Sequence, residues 1–380
     1  MPTLDLLDTP AALIDVPRMQ LNIRRMQERM DSLGVRFRPH VKTSKCTPVA
    51  QAQEAAGACG ITVSTLKEAA HFLAAGFTDI LYAVGIAPGK LAQVLQLRQQ
   101  GCDLKIITDN LVSAQAIVSF GQANNAVFEV WIEIDCDGHR SGLKPDEPAL
   151  LAVAHALHAG GMKLGGVLTH AGSSYELDTP EALTAMAEQE RSGCVRAAER
   201  IRAAGLPCPV VSIGSTPTAL SAISLAGVSE VRAGVYVFFD LVMHNIGVCR
   251  SDELALSVLT TVIGHQTEKG WAIVDAGWMA MSRDRGTQKQ KRDFGYGQVC
   301  ALDGSLLPDY QLSAANQEHG IISRVTSDGQ ADSAIATRFP LGTRLRILPN
   351  HACATGAQFP EYHALTEDGE VAIWPRLYGW

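Results

Sequence analysis

The chain has 380 residues, of which 47% are hydrophobic and 19% are charged, and its formal net charge is −7 at pH 7. This length is enough for two domains with sizeable cores, and the composition is ordinary for a globular protein and too apolar for a disordered chain. The acidic balance argues against nucleic acid or an anionic membrane as a partner, and no apolar run has the length needed to cross a bilayer.

The N-terminus and the cysteines bear on the cellular location. The segment MPTLDLLDTP carries acidic residues where a secretory signal has basic ones, and it lacks a long apolar core. The nine cysteines are scattered and form no CxxC pair, which is typical of thiols in a reducing compartment. We therefore expect a cytoplasmic protein without a disulfide framework.

Strands and helices alternate over most of the chain. A first apolar run, 11–16, is followed by a helical pattern at 18–34 and is predicted to belong to a separate sheet. The next eight apolar runs, separated by helical patterns, predict strands over 36–42, 60–65, 79–84, 103–108, 127–136, 163–170, 210–214 and 228–235. Eight strands with helical crossovers predict an α/β fold, a (β/α)8 TIM barrel, with a doubly wound sheet as the competing architecture.

Beyond about residue 245 the pattern changes to short strands separated by turn residues. The charge-rich segment 282–295 is predicted to be a solvated loop, with gating of the site as an alternative. The division predicts a barrel domain at 17–245 and an all-β domain at 246–380. The predicted strands of the second domain cover 254–266, 271–277, 320–327, 343–350 and 370–375.

Lys42 is the first candidate for chemistry, in the motif RPHVKTSK (38–45). It ends the first barrel strand, and the carboxyl ends of barrel strands form the catalytic face. Most lysines are solvated surface charges. A partly desolvated ammonium at this face can nevertheless have a lowered pKa and act as an amine nucleophile toward an aldehyde. The candidate chemistry is a Schiff base with pyridoxal phosphate.

Polar residues follow four further strands of the predicted barrel. They lie in the segments DCDGHRSG (135–142), THAGSSY (169–175), GSTPT (214–218) and RAGVY (232–236). Because parallel barrel strands end at one face, we expect these segments to line a common site, which a purely structural barrel would not need.

The segment GSTPT after strand seven is the candidate phosphate site. Gly214 lets the backbone approach an anion, Ser215 and Thr216 carry hydroxyl donors, and the following helix presents amide groups. N-capping of that helix is the alternative explanation, but the position after strand seven is the customary phosphate site of such barrels. A P-loop at 85–91 is excluded, because one residue is missing and Leu91 replaces the metal-binding Ser or Thr.

His351 and Cys353 form the candidate metal site in the predicted β domain. On an extended segment alternate residues share a face, so the imidazole and the thiolate would lie side by side. This pair suits zinc or another divalent ion, and two protein ligands leave positions open for water or substrate. A buried cysteine beside a hydrogen-bonded histidine is the structural alternative.

Together these motifs resemble the D-threonine aldolase and D-serine dehydratase family of pyridoxal phosphate enzymes, which has the alanine-racemase-like fold type III. The resemblance covers essentially the whole chain and implies that segment 1–16 joins the β domain. It also implies that Lys42 carries the cofactor, that Arg140 binds the cofactor's 3′ oxygen, and that the His-x-Cys pair binds a divalent metal such as zinc or manganese. Arg232 lies where alanine racemase has an arginine facing the pyridine nitrogen, with a surface or salt-bridge role as the alternative.

Tyr175 and Tyr236 are further candidates, which could orient substrate or phosphate. Packing at the barrel rim is the alternative role. The full set of candidate cofactor-binding residues is Lys42, Arg140, His170, Tyr175, Gly214, Ser215, Thr216, Arg232, Gly234 and Tyr236, with His351 and Cys353 as metal ligands.

The resemblance implies a dehydratase, a carbon–oxygen lyase that acts on a D-β-hydroxy amino acid as a homodimer. From the net charge and the absence of a long apolar run we expect no nucleic-acid or membrane partner. Lys42 would act as the general base, and the metal would assist the departing hydroxide. D-threo-3-hydroxyaspartate is the expected substrate, which would give oxaloacetate and ammonia. The alternatives are a D-serine dehydratase, a D-threonine-type aldolase that releases glycine and an aldehyde, and, in another class, a non-catalytic pyridoxal phosphate carrier.

Overall fold

The computed structural model describes residues 4–325 and 330–379, which form two compact units. The barrel unit consists of Arg24–Gly234, and the β unit combines the residues up to Ile23 with Val235–Gly379. In the described ranges no helix has both the length and the apolar character that a membrane span requires.

The chain begins with β1 (Ala11–Asp15) and α1 (Val16–Ser32), and the barrel strands and helices follow in alternation. The strands are β2 (Arg36–Phe37), β3 (Ile61–Val63), β4 (Asp79–Gly85), β5 (Asp103–Thr108), β6 (Glu129–Ile134), β7 (Lys163–Thr169), β8 (Val210–Ile213) and β9 (Glu230–Val231). The helices are α2 (Thr47–Ala55), α3 (Leu66–Ala74), α4 (Leu91–Gln99), α5 (Leu111–Ala123), α6 (Pro148–Ala159), α7 (Pro180–Ala203) and α8 (Thr216–Ser221).

The eight parallel strands close into a barrel. Hydrogen-bonded neighbours follow the order β2-β9-β8-β7-β6-β5-β4-β3. The ring closes through a bridge between His40 and Thr62, in which the Thr62 amide donates to the Pro39 carbonyl at 2.8 Å and the Val41 amide donates to the Thr62 carbonyl at 3.0 Å. The predicted (β/α)8 barrel is therefore confirmed, and the doubly wound sheet is excluded.

The first barrel strand is shorter than predicted, because only Arg36–Phe37 has regular strand geometry. The amides of Arg38 and His40 continue the ladder: Arg38 donates to the carbonyl of Val231, the last residue of β9, at 2.9 Å, and His40 donates to the Ala233 carbonyl at 2.8 Å. The chain then leaves the extended conformation and turns at residues 41–44. Lys42 thus lies in the turn after the strand, at the carboxyl end of the barrel.

A cluster of charged side chains links the two shortest barrel strands, β2 and β9, to β4 and β5. The Arg38 guanidinium donates to Glu230 of β9 at 2.9 Å and to both carboxylate oxygens of Asp79 of β4 at 2.7 and 3.0 Å. Lys105 of β5 also contacts Asp79, at 2.5 Å. Gly60 leaves room for the guanidinium, since a Cβ atom there would lie 2.4 Å from it. Because Arg38 and Glu230 are buried, each charge is solvated by the other and not by water.

The β unit contains a nine-stranded sheet that combines both ends of the chain. β1 pairs antiparallel with β10 and parallel with β16, so the first apolar run belongs to a separate sheet, as predicted. Besides β1, the strands are β10 (Leu256–Gln266), β11 (Trp271–Val274), β12 (Gly297–Cys300), β13 (Leu306–Ala315), β14 (Gly320–Arg324), β15 (Arg344–Pro349), β16 (Glu361–Leu365) and β17 (Val371–Pro375). The helices are α9 (Leu241–Asn245), α10 (Trp278–Met281), α11 (Ile335–Arg338) and α12 (Ala352–Gly356).

Six of these strands form a closed antiparallel ring, β10-β11-β14-β13-β12-β15, because β11 pairs with both β10 and β14. The all-β character is confirmed, but β12, β13 and β16 were not predicted. The predicted strand at 320–327 corresponds to β14, and residues 326 and 327 lie outside the described ranges. The segment 282–295 contains no helix or strand and is mostly exposed, as predicted.

Replacing Arg38 with Ala should destabilise the protein by about 3–5 kcal/mol, because it removes the guanidinium that pairs directly with the buried Glu230 carboxylate. Chemical denaturation followed by circular dichroism measures the change. Arg250→Ala is the control: Arg250 pairs with Asp252 on the surface, and its loss should leave stability unchanged. Equal stability of Arg38→Ala and the parent would contradict a structural role for the cluster.

Candidate active site

Lys42 and Lys45 belong to one motif but have opposite surroundings. Lys42 is exposed, between the buried residues Val41 and Thr43. Lys45 is buried, and its Nζ pairs with Oε1 of the buried Glu68 carboxylate at 3.1 Å. The Lys42 amine is therefore the one that a small molecule at the barrel mouth can reach.

Two histidines near Lys42 are neutral. His170 donates from Nδ1 to the Gly214 carbonyl at 2.9 Å, which leaves Nε2 without a proton. Burial, together with the positive charge of Lys42, lowers the pKa of His170 to about 3. Burial and the Lys42 charge also lower the pKa of His40 well below its usual value. Lys42 and Arg232 contribute positive charge to both shifts, and such charge at the barrel mouth favours a bound anion.

Arg232 follows β9 and is only 5% exposed, which excludes a surface role. Its guanidinium donates to the Thr169 carbonyl at 2.6 Å and to the Ser212 hydroxyl at 2.5 Å. Ser212 in turn donates to Glu230 at 2.8 Å. Burial lowers the pKa of Arg232, and the negative charges of Glu230 and Glu190 oppose that shift. Ser212 thus connects the guanidinium to the Glu230 carboxylate.

Glu190 of α7 links the ends of two strands. Its Oε1 accepts from the amides of Ala171, after β7, and Gly214, after β8, at 2.8 and 3.1 Å. Its Oε2 has no hydrogen-bond partner among the described residues. Burial raises the pKa of this carboxyl group to about 7. Glu190 therefore fixes the relative positions of the loops that carry His170 and Ser215.

In the segment 214–218, Ser215 caps the N-terminus of α8, which is the role that the sequence offered as an alternative to anion binding. Gly214 has a φ of +135°, and a Cβ atom there would lie 2.1 Å from the Arg232 carbonyl oxygen, so only glycine fits. The Ser215 hydroxyl accepts from the Thr218 amide at 3.2 Å, and the Thr218 hydroxyl accepts from the Ser215 amide at 3.0 Å. An anion here would rely on the positive field more than on the Ser215 hydroxyl.

The other predicted cofactor-binding residues differ in their exposure and in their neighbours. Arg140 has 59% of its side chain exposed, and its Nη2 lies 3.8 Å from the Glu133 carboxylate. The Tyr175 ring lies 6.1 Å from that of His170, whereas Tyr236 is buried within the β unit. Thr216 is fully buried, and Gly234 approaches the His40 carbonyl. His170 lies at the centre of several predicted residues. It hydrogen-bonds to Gly214, its ring contacts that of Tyr175, and it interacts with the charges of Lys42, Arg140 and Arg232.

His351 and Cys353 lie at the start of α12 and not on an extended segment, so the geometry predicted for them is wrong. His351 is the N-cap, with φ −136° and ψ 106°, and the helix begins at Ala352. It begins there because the Ala352 amide donates to Asp240 at 2.9 Å and the Thr355 amide donates to the His351 carbonyl at 3.1 Å. The imidazole and the thiol still hydrogen-bond to each other.

Asp284 is a second partner of the His351 imidazole. Its Oδ2 accepts from His351 Nδ1 at 2.6 Å. Burial disfavours a charged imidazole, but Cys353 and Asp284 outweigh it and raise the pKa of His351. The hydrogen bond from His351 lowers the pKa of Asp284. Histidines that bind metals commonly donate one ring nitrogen to a carboxylate and use the other as the ligand, so this arrangement fits a metal site.

In the part of the chain that the structure describes, few side chains near His351 and Cys353 are available as further ligands to a metal ion. Residues 4–325 and 330–379 contain no cluster of three or more His, Cys, Asp or Glu side chains suited to one ion. Imidazole and thiolate are donors that suit zinc and other divalent transition metals. With His351 and Cys353 as two protein ligands, water or substrate would complete the coordination of an ion.

Two family models match this chain. The N-terminal domain of alanine racemase matches residues 14–242, and the serine dehydratase domain matches residues 255–365. The chain is 72% identical to the D-threo-3-hydroxyaspartate dehydratase of Delftia sp. (strain HT23) over 379 residues, which cover 100% of this chain and 99% of that protein. The chain belongs to the D-threonine aldolase and D-serine dehydratase family. A further relative, the D-serine dehydratase of Dictyostelium discoideum, is 31% identical over 96% of this chain and 95% of its own length.

Solved structures of this family have the same fold. The D-threo-3-hydroxyaspartate dehydratase from Delftia sp. HT23 is 71% identical, with a TM-score of 0.99 and 100% of both chains covered. A C353A mutant of a D-threo-3-hydroxyaspartate dehydratase in the metal-free form gives the same TM-score of 0.99 with 100% of both chains covered. An alanine racemase of Clostridium difficile 630, 14% identical with a TM-score of 0.68, covers 97% of this chain and 99% of its own and shares the fold alone.

Sequence analysis missed three carboxylates: Glu190, which contacts the loops of the candidate cofactor site, and Asp240 and Asp284, which contact the candidate metal site. A signal exists for Glu190, because it falls on the buried stripe of α7 at helical spacing from Ala187 and Cys194. A carboxylate on such a stripe must be paired or protonated. Asp240 and Asp284 lie where no periodic pattern exists, so the sequence carries no comparable signal for them.

Glu190→Gln should change how stability depends on pH. The folded parent keeps the Glu190 proton up to a pKa of about 7, whereas the unfolded chain releases it near 4.5, so the parent loses stability as pH rises between these values. Glutamine keeps the acceptor oxygen and does not titrate. Relative to the parent, the variant should gain about 3 kcal/mol between pH 4.5 and pH 8. Denaturation of both proteins across this range tests it, and a pH-independent difference would refute it.

Proposed function

We propose that this chain is a pyridoxal phosphate- and divalent-metal-dependent dehydratase that converts D-threo-3-hydroxyaspartate to oxaloacetate and ammonia. The observation that carries the proposal is the 72% identity to a D-threo-3-hydroxyaspartate dehydratase over 100% of this chain. Membership of the family makes the chain a lyase of the fold type III class.

The residues at the barrel mouth fit pyridoxal phosphate. Lys42 has an exposed amine that would hold the aldehyde carbon. The positive charges of Lys42, Arg140 and Arg232, which add to the effect of burial in lowering the pKa of His170, would stabilise a phosphate. Arg140 would bind the 3′ oxygen, and Arg232 would face the pyridine nitrogen. Further contacts are proposed for Tyr175, Gly214, Ser215, Thr216, Gly234 and Tyr236. When bound, the cofactor withdraws electrons from the α carbon of an amino acid and makes its proton acidic.

The side chains at the mouth would manage the protons of the reaction. Lys42 would take the α proton of the substrate at Nζ as general base. His170 is held as the Nδ1–H tautomer by Gly214, so it can accept a hydrogen bond at Nε2 but cannot donate one there. Arg232 carries no proton that it readily gives up, so it would leave the ring nitrogen unprotonated. Departure of the β hydroxyl then needs separate assistance.

His351 and Cys353 would hold the divalent ion that gives this assistance. Asp284 accepts from Nδ1 of the imidazole, which leaves Nε2 as the ligand atom. The ion would act as a Lewis acid toward the departing hydroxide. Structures of an H351A mutant of a D-threo-3-hydroxyaspartate dehydratase and of a C353A mutant in the metal-free form carry substitutions with the numbers of these two residues, which supports the assignment.

The proposal also includes zinc or manganese as the native metal, a homodimer and a cytoplasmic location. The scattered cysteines without a CxxC pair support a reducing compartment. The proposed domains, a barrel at 17–245 and a β domain at 246–380 joined by residues 1–16, follow the two-domain organisation of fold type III enzymes, which is the basis for proposing a homodimer. Sedimentation analysis measures the oligomeric state directly.

A panel of D- and L-β-hydroxy amino acids, assayed with and without chelator, tests the reaction. From D-threo-3-hydroxyaspartate we expect oxaloacetate and ammonia in equal amounts, and chelation should reduce the rate by orders of magnitude because unassisted hydroxide is a poor leaving group. Pyruvate formed from D-serine alone would indicate a D-serine dehydratase, and glycine with glyoxylate would indicate an aldolase. The absence of any product would indicate a carrier. The match of the serine dehydratase domain to residues 255–365 argues against the carrier.

Lys42→Ala should abolish covalent attachment of the cofactor. After borohydride reduction, mass spectrometry of the parent should place the added mass on Lys42 and not on Lys45, because the Lys45 amine is paired with Glu68. Lys144→Ala, which removes an exposed lysine of the same unit, is the control and should retain the label. Label on Lys45 in the parent, or undiminished label in Lys42→Ala, would contradict the assignment.

A further inference from the structure

The segment 282–295 is attached to the residues around the proposed metal ligands. Side-chain hydrogen bonds join it, and the residue before it, to residues 350–355. They link His351 to Asp284 (2.6 Å), Thr287 to Asn350 (3.0 Å), Asn350 to the Gly295 carbonyl (2.8 Å) and Thr355 to the Met281 carbonyl (2.8 Å). Because these contacts are spread along the segment, both of its ends and its middle are fixed to the start of α12.

The central contact of this segment is buried. Thr287 and Asn350 are 0% and 2% exposed, although the residues around Thr287 are charged and mostly exposed. Their polar groups satisfy each other, as buried polar groups must. Asp284 lies three residues before Thr287, so this buried contact anchors the part of the segment that carries Asp284.

We propose that Asp284 is a positioning residue of the metal site, which holds the His351 imidazole as the Nδ1–H tautomer. The inference rests on the metal site of the proposed function and adds a residue to it. A carboxylate can only accept at this contact, so Nδ1 donates and Nε2 is the ring nitrogen that remains for an ion. Such carboxylate partners typically contribute about 10–100-fold to metal affinity.

The backbone between the two ligands is fixed independently of Asp284. Asp240 is buried, and its two oxygens accept from the Met243 amide at 3.0 Å and from the Ala352 amide at 2.9 Å. Asp240 thus sets the backbone at Ala352, whereas Asp284 sets the imidazole ring. Loss of the Asp284 carboxylate should therefore alter the ring orientation without unfolding the start of α12.

The affinity for Zn²⁺ of the cofactor-loaded, metal-stripped protein tests the inference. Competition with a fluorescent chelator gives the dissociation constant for the parent, Asp284→Asn, Asp284→Ala and Asp293→Asn. Asp293 is the matched control, since it lies in the same segment and has 40% of its side chain exposed, against 39% for Asp284. It pairs with Arg285 and not with the imidazole, so its substitution removes the same charge without touching His351.

We expect Asp284→Ala to weaken Zn²⁺ binding about 10–100-fold and Asp284→Asn to weaken it less, because the amide oxygen still accepts from Nδ1. Asp293→Asn should bind as the parent does, and cofactor content and melting temperature should be unchanged in all variants. Equal affinities in all four proteins, or an equal loss in Asp293→Asn, would overturn the role of Asp284. If the parent binds no Zn²⁺, or His351→Ala binds it equally well, the metal site of the proposed function fails instead.

Discussion

The barrel closes around the buried guanidinium of Arg38. The first and last barrel strands each have only two residues in regular geometry, so their backbone hydrogen bonds alone hold the ring weakly. Arg38 reaches Glu230 on one side and Asp79 on the other. The attraction to Glu230 is the stronger one, because both side chains are buried and little water screens it. The closure places the turn that carries Lys42 at the same end of the barrel as His170.

The same carboxylate serves two arginines. Glu230 accepts from Arg38 on one oxygen and from Ser212 on the other, and Ser212 accepts from Arg232. Burying an ion costs several kcal/mol, so a shared partner reduces the number of charges that the interior must hold. The exposed cations at the mouth lie outside this network. Burial lowers the pKa values of His40 and His170, and the charge of Lys42 adds to this shift. The same charge makes the mouth suited to anions.

The parts of the site that depend on local patterns could be predicted from the sequence. The alternation of strands and helices identified Lys42 as a strand-end residue. His351 and Cys353 are two positions apart in the sequence, so they lie together even though the start of a helix was not expected there. Contacts between distant segments could not be predicted. Nothing in the sequence distinguishes Asp284, which contacts His351, from Asp293, which pairs with an arginine. Strands such as β13, with few buried residues, likewise owe their stability to partners and not to their own composition.

The position of β1 inside the sheet affects how the protein folds during synthesis. Leu13 pairs with Ser257 of β10 and with His363 of β16, so one edge of β1 has no partner until nearly the whole chain has left the ribosome. Most barrel strands pair with neighbours along the chain and can associate earlier. The β unit is therefore completed last. A chain that ends before residue 361 leaves one side of β1 open, and such open edges are where strands of other chains add and aggregation begins.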